Sequence, residues 1–391
     1  MELVATYLAG LPEGREAAAA EAFAIGQTIG TWIPVPGITA AMRRTHGGRV
    51  VEVRKGASTE FVGGEPAAGR WVLRVGFPVV NFGAQMPMLF TTLLGNDPST
   101  SISARLVDLQ LPPAYVAQFP GPAHGIAGWR SLTGVEGRPL LLNMIKPCTG
   151  YPPRAGARFV RAVAAGGVDL VKDDELLADP AFSRVRERAR AYSAVLDDVS
   201  EVTGQRPRYI ANVTTRARDL EATAQAALEG GADALMVNVL AVGLDALASL
   251  IESTPGTPVF AHTAGVETFT GGAQSGYGHA LLIGRLVRLV GADAVLLSTP
   301  FAARPLPAPA FRATVDGLRE PWGDLRASMP VVGGGLTAAT VRAIVDAAGT
   351  DVIIGIGGAI QGHPEGPAAG ARVVRAAIDA AIAGRGPGSP L

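Results

Sequence analysis

The sequence is poor in the features that would assign it to several large classes of protein. It has a single cysteine, Cys148, which excludes an internal disulfide framework and a cysteine-based zinc site. Its 34 Lys and Arg residues are balanced by 34 Asp and Glu residues, so no net charge draws it toward nucleic acid or an anionic membrane. No apolar run approaches the roughly 18 residues that span a bilayer, and the segment MELVATYLAG lacks the basic and apolar regions of a secretion signal. We therefore expect a cytoplasmic protein whose partners are small molecules, with no nucleic acid and no membrane.

What the chain does have is length, apolar content and glycine. Its 391 residues are 48% hydrophobic, which is enough for a barrel of about 250 residues and a smaller domain. The 50 glycines and 29 prolines suit a fold with many tight turns between strands and helices.

Short apolar runs alternate with helical segments from residue 139 onward, the pattern of parallel strands joined by crossover helices. The eight candidate strands are 139–145, 168–172, 208–213, 233–238, 257–262, 293–298, 330–333 and 351–355. Candidate helices lie between or after them at 181–203, 217–229, 277–290, 337–347 and 367–384. Eight such units predict an α/β protein with a (β/α)8 TIM barrel at residues 126–391, whose site lies at the C-terminal ends of the strands.

Residues 1–125 have a different pattern. Strand-like pieces occur near 50–54 and 71–76, and an alanine-rich helix precedes them. The proline-rich run 111–125 lacks helical periodicity and is predicted to connect two domains. We predict a smaller N-terminal α+β domain over 1–125.

The strongest local signal is a lysine followed by three carboxylates, Lys172-Asp173-Asp174-Glu175, at the end of the second predicted barrel strand. Carboxylates are hard oxygen ligands that suit magnesium. The ammonium form of lysine would repel the cation, whereas a carbamate formed on its amine by carbon dioxide would be an anionic ligand. A solvated acidic helix start is the alternative interpretation, because Asp and Glu favour helix N-termini.

Lys146 and His262 end the first and fifth predicted strands. Pro147 keeps a helix from starting directly after Lys146, which leaves the amine available to a ligand. Such a lysine could exchange protons, and an imidazole in the position of His262 could donate to a substrate oxygen. A salt bridge for Lys146 and a structural role for His262 stay open as alternatives.

Two glycine clusters follow the last two predicted strands. They comprise Gly333-Gly334-Gly335 and Gly357-Gly358. Barrel enzymes commonly bind phosphate at this place through backbone N–H groups. Each cluster alone could be a tight turn, but the pair indicates a phosphorylated substrate.

Taken in order along the chain, these motifs resemble the large subunit of ribulose-bisphosphate carboxylase (RuBisCO) from about Gly30 to Arg372. The matching segments are Gly-Thr-Trp at 30–32, Gly95-Asn96, LPPAYVAQFPGPAHGI at 111–126, Ile-Lys-Pro at 145–147, GGVDLVKDDE at 166–175, Asn-Val-Thr at 212–214, His262, and Gly-Gly followed by Gly-His-Pro within 357–364.

The resemblance implies that Lys172 is carbamylated and holds Mg²⁺ together with Asp174 and Glu175. It also implies an antiparallel homodimer, or a higher even oligomer, because some residues of the N-terminal domain reach the partner's barrel. Those residues are Thr31, Trp32 and Asn96. The family's first phosphate pocket corresponds to Thr31, Gly334, Gly335, Gly357 and Gly358.

Departures from the family pattern are equally informative. The second phosphate pocket has Thr263, Leu297 and Gly333 where the family has arginine, histidine and serine, so one phosphate is expected on the substrate. Gly26 occupies the position of a catalytic glutamate in the family, and Cys148 occupies the position of a lysine. The loop after the sixth strand has Arg304 as the nearest cation to the position of another family lysine. These losses imply the non-carboxylating, RuBisCO-like branch (form IV).

The main hypothesis is a Mg²⁺-dependent enolisation or isomerisation of a monophosphorylated ketose-type substrate through a metal-bound enediolate, without CO2 fixation. The carbamate or Lys146 would be the base, and His262 and Asn96 would bind the developing oxyanion. The activities that the branch implies include those of diketo-methylthiopentyl-phosphate enolases and methylthioribulose-phosphate isomerases. The methylthio enolases place a lysine where this chain has Asn96, which counts against that activity without excluding it.

Two alternatives remain. A decarboxylase of a phosphorylated oxo-sugar acid, of the 3-oxo-isoapionate-4-phosphate type, would reach the same enediolate by losing carbon dioxide. A non-catalytic barrel would only bind a sugar phosphate.

Overall fold

A computed structural model describes residues 1–30, 35–302 and 305–384 of the chain. The chain divides into two compact units. Unit 1 comprises Met1–Phe119, Gly265–Leu286 and Pro321–Leu325, and unit 2 comprises Pro120–Ala264, Val287–Glu320 and Arg326–Leu391. The predicted residues Thr31, Trp32 and Arg304 lie outside the described residues.

Fifteen strands occur in the described ranges. They are β1 (Glu2–Ala9), β2 (Arg49–Lys55), β3 (Phe61–Val62), β4 (Glu65–Pro66), β5 (Trp71–Pro78), β6 (Arg105–Gln110), β7 (Leu140–Met144), β8 (Leu170–Lys172), β9 (Arg208–Asn212), β10 (Ala234–Asn238), β11 (Val259–His262), β12 (Gly276–Tyr277), β13 (Ala294–Leu297), β14 (Met329–Gly333) and β15 (Ile353–Gly355).

The main helices of unit 2 connect or flank its strands. They are Gly125–Thr133, Pro153–Ala164, Val185–Thr203, Leu220–Glu229, Leu244–Ser253, Ala308–Arg319, Val341–Ala348 and Pro367–Ala383, with shorter turns at Ala217–Asp219, Val239–Val242, Val287–Leu289, Ala338–Thr340 and Gly358–Gln361. The helices of unit 1 are Glu16–Gly26, Ala40–His46, Val79–Asn81, Met86–Leu94, Asp97–Thr100, Pro113–Val116, Val266–Thr270 and the π-helix Ala280–Leu286.

Unit 2 is a closed parallel barrel in the order β7-β8-β9-β10-β11-β13-β14-β15. All eight predicted barrel strands are confirmed, with ends shifted by up to two residues. Their residues are buried almost without interruption because the strands pack on both faces, against the barrel interior and against the helices. Leu142, Ile210, Met236, Phe260 and Val331 belong to the apolar cluster that includes Trp129 and fills the barrel. The predicted α/β barrel fold is therefore confirmed.

Unit 1 is built on a five-stranded sheet in the order β12-β6-β1-β5-β2. The strand-like pieces near 50–54 and 71–76 lie within β2 and β5, and the alanine-rich helix is Glu16–Gly26. Strands β1 and β6 were not predicted. Both are buried along most of their length. The sequence of β1 is almost continuously apolar, and the three polar residues of β6 (RLVDLQ) are not evenly spaced, so neither strand shows the alternation that identifies a half-exposed strand.

The sequence predicted one boundary at residue 125, whereas the later segment Gly265–Leu286 belongs to unit 1. The predicted helix 277–290 also differs from the structure, in which Tyr277 ends β12 and a π-helix begins at Ala280. Strand β12 pairs in parallel with β6, and the buried Arg105 on β6 donates hydrogen bonds to the Thr270 carbonyl (2.7 Å) and to Glu65 (3.0 Å). Pairing with an edge strand leaves no periodic signal in the local sequence.

The predicted connector 111–125 contains the short helix Pro113–Val116. Four residues are too few to show helical periodicity, although proline in the first turn is typical of a helix start. Throughout the described ranges, no helix combines the length and apolarity needed to cross a membrane.

Arg188 and Asp173 form an ion pair in which both side chains are inaccessible to solvent. We expect Arg188→Ala to lower the free energy of unfolding by about 3–5 kcal/mol, because it leaves the Asp173 carboxylate buried without its cation. Urea denaturation followed by circular dichroism measures the loss. The matched control is Arg186→Ala, whose ion pair with Glu229 is exposed and should contribute less than about 1 kcal/mol. Equal losses in the two variants would contradict this assignment.

Candidate active site

A cavity of about 580 Å³ lies at the C-terminal ends of the barrel strands. It is lined by charged and polar side chains on one part of its wall and by glycines on another. The charged and polar set comprises Lys146, Lys172, Glu175 and His262, and the glycine set comprises Gly333, Gly334, Gly335, Gly355, Gly357 and Gly358. The structure therefore brings together most of the residues selected from the sequence.

Asn96 lies in unit 1 and lines a different cavity, of about 720 Å³. Gly26 lines the same cavity, and a Cβ atom at Gly26 would come within 2.4 Å of an Asp97 carboxylate oxygen. A glutamate at position 26 would require Asp97 to move.

Lys172 ends β8 and is 1% exposed. Its Nζ donates a hydrogen bond to the main-chain oxygen of Asp173 at 2.8 Å. Burial lowers the pKa of the Lys172 amine to about 8, against the opposing effect of the Glu175 and Asp174 charges. A substantial fraction of this amine is therefore neutral near pH 8, and the neutral form is the one that reacts with carbon dioxide.

Asp173 is saturated with protein hydrogen bonds and is unavailable as a metal ligand. Its carboxylate accepts from Arg188 Nε (3.0 Å) and Nη2 (2.9 Å), from the Tyr209 hydroxyl (2.7 Å) and from the Asn212 amide (3.0 Å). Of the three carboxylates that follow Lys172, Asp173 is thus structural. Sequence reasoning did not identify Arg188 or Tyr209, because each lies far from the acidic run along the chain.

Asp174 is fully buried and accepts a hydrogen bond from Lys146 Nζ at 2.5 Å. Burial alone would raise the pKa of Asp174, but the hydrogen bond and charge of Lys146 outweigh it and lower the pKa. The same contact raises the pKa of Lys146 despite the opposing effect of burial. Lys146 also donates to Cys148 Sγ at 3.2 Å. Lys146 is therefore a protonated group bound to a candidate metal ligand.

His262 lies beside the acidic run, with Nε2 at 3.6 Å from a carboxylate oxygen of Glu175. Burial, with a smaller contribution from the charge of Lys172, lowers the pKa of His262 to about 3. The Nδ1 atom accepts a hydrogen bond from the Ala264 amide at 3.2 Å, so the proton of the neutral ring is on Nε2. His262 can therefore donate one hydrogen bond into the cavity.

The glycine wall depends on the absence of side chains. Gly334 and Gly335 have φ angles of +93° and +71°, which other residues rarely adopt. A Cβ at Gly357 would lie 3.1 Å from the Met144 carbonyl oxygen and 3.2 Å from Lys146 Cε. This wall can bring backbone N–H groups close to an anion.

The positions matched to a second phosphate pocket provide no cation. The Thr263 hydroxyl donates to the Leu296 carbonyl at 2.9 Å and is thereby occupied. Thr263 and Leu297 are both buried, at 5% and 2% exposure.

The metal hypothesis depends on the chemistry of three side chains. No group of three His, Cys, Asp or Glu side chains suited to a metal occurs among residues 1–30, 35–302 and 305–384. Asp174 and Glu175 supply two carboxylates beside Lys172, so the donor set fits Mg²⁺ when Lys172 carries a carbamate.

Comparison with known proteins gives a consistent result. The family model for the ribulose bisphosphate carboxylase large chain, catalytic domain, matches residues 125–302 and 312–389. A ribulose bisphosphate carboxylase-like protein of Archaeoglobus fulgidus is 37% identical over 98% of this chain and 88% of its own. A 2,3-diketo-5-methylthiopentyl-1-phosphate enolase of Geobacillus kaustophilus is 37% identical over 94% of this chain and 89% of its own.

Solved structures have the same fold. A rubisco-like protein from Alicyclobacillus acidocaldarius superposes with a TM-score of 0.87 at 32% identity, covering 98% of this chain and 95% of that one. Octameric Rubisco from Pyrococcus horikoshii gives a TM-score of 0.89 at 29% identity, covering 98% and 88%. The resemblance recognised in the motifs is confirmed, and the chain belongs to the ribulose bisphosphate carboxylase large chain family, with RuBisCO-like proteins among its relatives.

Proposed function

We propose that the protein catalyses enolisation or isomerisation of a ketose-type substrate that carries one phosphate, and that it does not fix carbon dioxide. The observation that carries the proposal is the grouping of Lys172, Glu175, His262 and Lys146 around one cavity with a glycine wall. Relatives named as enolases, at about 35% identity, support the same class of reaction.

Carbamylated Lys172, Asp174 and Glu175 would hold Mg²⁺. When bound, this cation would polarise the substrate carbonyl and lower the pKa of the adjacent C–H bond. Lys146, protonated through its contact with Asp174, is placed to give a proton to a substrate oxygen, and it would serve as the base only after it had released that proton. The neutral His262 would donate from Nε2 to the oxygen on which negative charge develops.

The glycine wall would bind the phosphate. Its backbone N–H groups at Gly334, Gly335, Gly357 and Gly358 would be the donors, and Thr31 would add a hydroxyl from the partner subunit. The domain at 1–125 would complete the partner's site, with Asn96 as a further oxyanion donor. A homodimer is then the smallest active unit.

Proton exchange in deuterated water tests the reaction directly. With Mg²⁺ and bicarbonate, a panel of monophosphorylated ketoses and oxo-sugar acids is followed by NMR for loss of C–H signals and for released carbon dioxide. We expect exchange without gas, and a loss of at least about 100-fold in Lys172→Ala because the metal donor set is incomplete. Arg186→Ala, an exposed helix variant, should retain the wild-type rate.

The same measurement separates the alternatives. Carbon dioxide release from an oxo-sugar acid would replace the enolase assignment with a decarboxylase. If no substrate shows proton exchange or carbon dioxide release, and Lys172→Ala is indistinguishable from the wild type, a non-catalytic binding barrel would be favoured.

The pKa of Lys172 gives a pH prediction for carbamate formation. With a pKa of about 8, the neutral fraction rises from about a tenth at pH 7 to about nine tenths at pH 9, whereas that of an ordinary lysine reaches only a few per cent at pH 9. The carbamate signal from ¹³C-bicarbonate, measured by NMR at fixed dissolved CO2, should rise through this range and be absent in Lys172→Ala. A signal that is flat between pH 7 and pH 9 would contradict the assignment.

One phosphate is expected to be sufficient for binding. Thr263 and Leu297 cannot replace an arginine and a histidine as phosphate ligands. In calorimetric titrations, ribulose 1,5-bisphosphate should therefore bind no more than about threefold tighter than ribulose 5-phosphate. A charged hydrogen bond to a second phosphate would instead add about 1.5–3 kcal/mol to the binding free energy. Gly335→Ala, which strains the glycine wall, should weaken both ligands alike. A tenfold preference for the bisphosphate would show that a second anion pocket remains.

A further inference from the structure

Two asparagines at the ends of neighbouring barrel strands hold the main chain of the proposed metal ligands. Asn212 ends β9 and Asn238 ends β10. Asn212 Nδ2 donates to the carbonyl oxygens of Asp174 (3.1 Å) and Glu175 (3.2 Å), and Asn238 Nδ2 donates to the same Glu175 oxygen at 3.0 Å. Three side-chain hydrogen bonds therefore hold two consecutive peptide groups.

Thr214 joins the side-chain amide of Asn212 to the main chain of Asn238. Its main-chain N–H and its hydroxyl donate to Asn212 Oδ1, at 3.0 and 2.6 Å, and its hydroxyl oxygen accepts from the Asn238 main-chain N–H at 2.9 Å. Because Asn212 Oδ1 accepts both bonds from Thr214, the amide is oriented with Nδ2 toward the acidic run.

The orientation of Asn238 is determined in the same way. The Glu175 carbonyl can only accept, so Nδ2 of Asn238 must face it and Oδ1 must face away. Asn238 is 9% exposed, and no donor among the described residues reaches its buried Oδ1. Leaving a buried acceptor unbonded costs about 1–3 kcal/mol.

We propose that Asn238, acting with Asn212 and Thr214, is a positioning residue that fixes the direction of the Glu175 carboxylate for divalent cation binding. This inference rests on the metal site of the proposed function. The segment that follows β8 has no strand partner at Glu175, so the amides take the place of a sheet in holding it. Groups that orient metal ligands in this way typically change metal affinity by 10–100-fold when they are removed.

Asn143 provides a matched control for Asn238. It is also a buried asparagine on a barrel strand, its Nδ2 donates to a main-chain carbonyl (Ile356, 2.7 Å), and its Oδ1 likewise has no donor within the described ranges. The two sites differ in the peptide that they hold, since Asn143 bonds the carbonyl of Ile356, directly after β15, and Asn238 bonds that of Glu175, in the acidic run after β8. Replacement by Asp places an oxygen against a carbonyl oxygen at either site.

The experiment measures Mn²⁺ binding to the full-length protein by electron paramagnetic resonance, at pH 8 with bicarbonate, together with the thermal midpoint of each variant. Asn238→Asp should raise the Kd for Mn²⁺ by at least about tenfold, whereas Asn143→Asp should change it by less than about twofold at a comparable loss of thermal stability. An unchanged Kd in Asn238→Asp, or equal weakening in both variants, overturns the proposal.

Thr214 gives a second test if Asn238→Asp does not fold. Thr214→Val removes the hydroxyl that joins the Asn212 side chain to the Asn238 main chain, and it should weaken Mn²⁺ binding by about threefold to tenfold. Thr214→Ser keeps a hydroxyl and should bind Mn²⁺ as the wild type does. If Thr214→Ser binds Mn²⁺ as weakly as Thr214→Val does, the hydroxyl does not contribute to positioning Glu175, and the proposal is overturned.

Lys172→Ala identifies the site at which Mn²⁺ binds. If it loses Mn²⁺ while Asn238→Asp and Thr214→Val bind as the wild type does, only the positioning role is overturned. If it binds Mn²⁺ as the wild type does, the proposed metal site fails and the positioning role fails with it.

Discussion

The ion pair between Asp173 and Arg188 determines how the acidic run after β8 is divided between structure and chemistry. Arg188 lies on the helix Val185–Thr203, donates twice to Asp173, and also donates to the carbonyls of Ala178 and Ser183. One guanidinium therefore connects the end of β8, the loop after Glu175 and the following helix. With Asp173 held in this way, the residues on either side of it are directed elsewhere: Lys172 lines the cavity and Asp174 contacts Lys146.

Burial of these charges is costly, and the structure compensates for the cost unevenly. The charge of Asp173 is offset by donors from three residues on two elements, the helix Val185–Thr203 and β9, and the charge of Asp174 is offset by Lys146. The charge of Lys172 is not offset to the same degree, because its amine has one main-chain acceptor and burial lowers its pKa. A buried amine with incomplete compensation is held near the pH at which it becomes neutral, which favours reaction with an electrophile over service as a permanent cation.

The sequence was sufficient for the barrel because eight apolar runs of strand length recur with helices between them, and burial on both faces leaves a strong local signal. It also located Lys146, Lys172, Glu175 and His262, because residues that end parallel strands meet at one end of a barrel. Pairings over long sequence separations were not predictable. The addition of β12 to β6 and the hydrogen bonds of Asn238 to the Glu175 carbonyl join segments whose local sequences contain no trace of the contact.

Part of the cavity lining is apolar, and this has electrostatic consequences. Leu142, Met144, Leu296, Val331 and Leu336 line the cavity together with the glycines and the charged residues. Such side chains exclude water and lower the local dielectric, so a donor such as His262 Nε2 interacts more strongly with a developing negative charge than it would in water. The same surroundings penalise any charge that lacks a partner. In the proposed function, the glycine N–H groups would offset the charge of one phosphate, whereas a second phosphate near Thr263 would meet a hydroxyl already bonded to the Leu296 carbonyl. Desolvation would then favour one anionic end on the proposed substrate and disfavour two, by the same physical effect that lowers the pKa of His262.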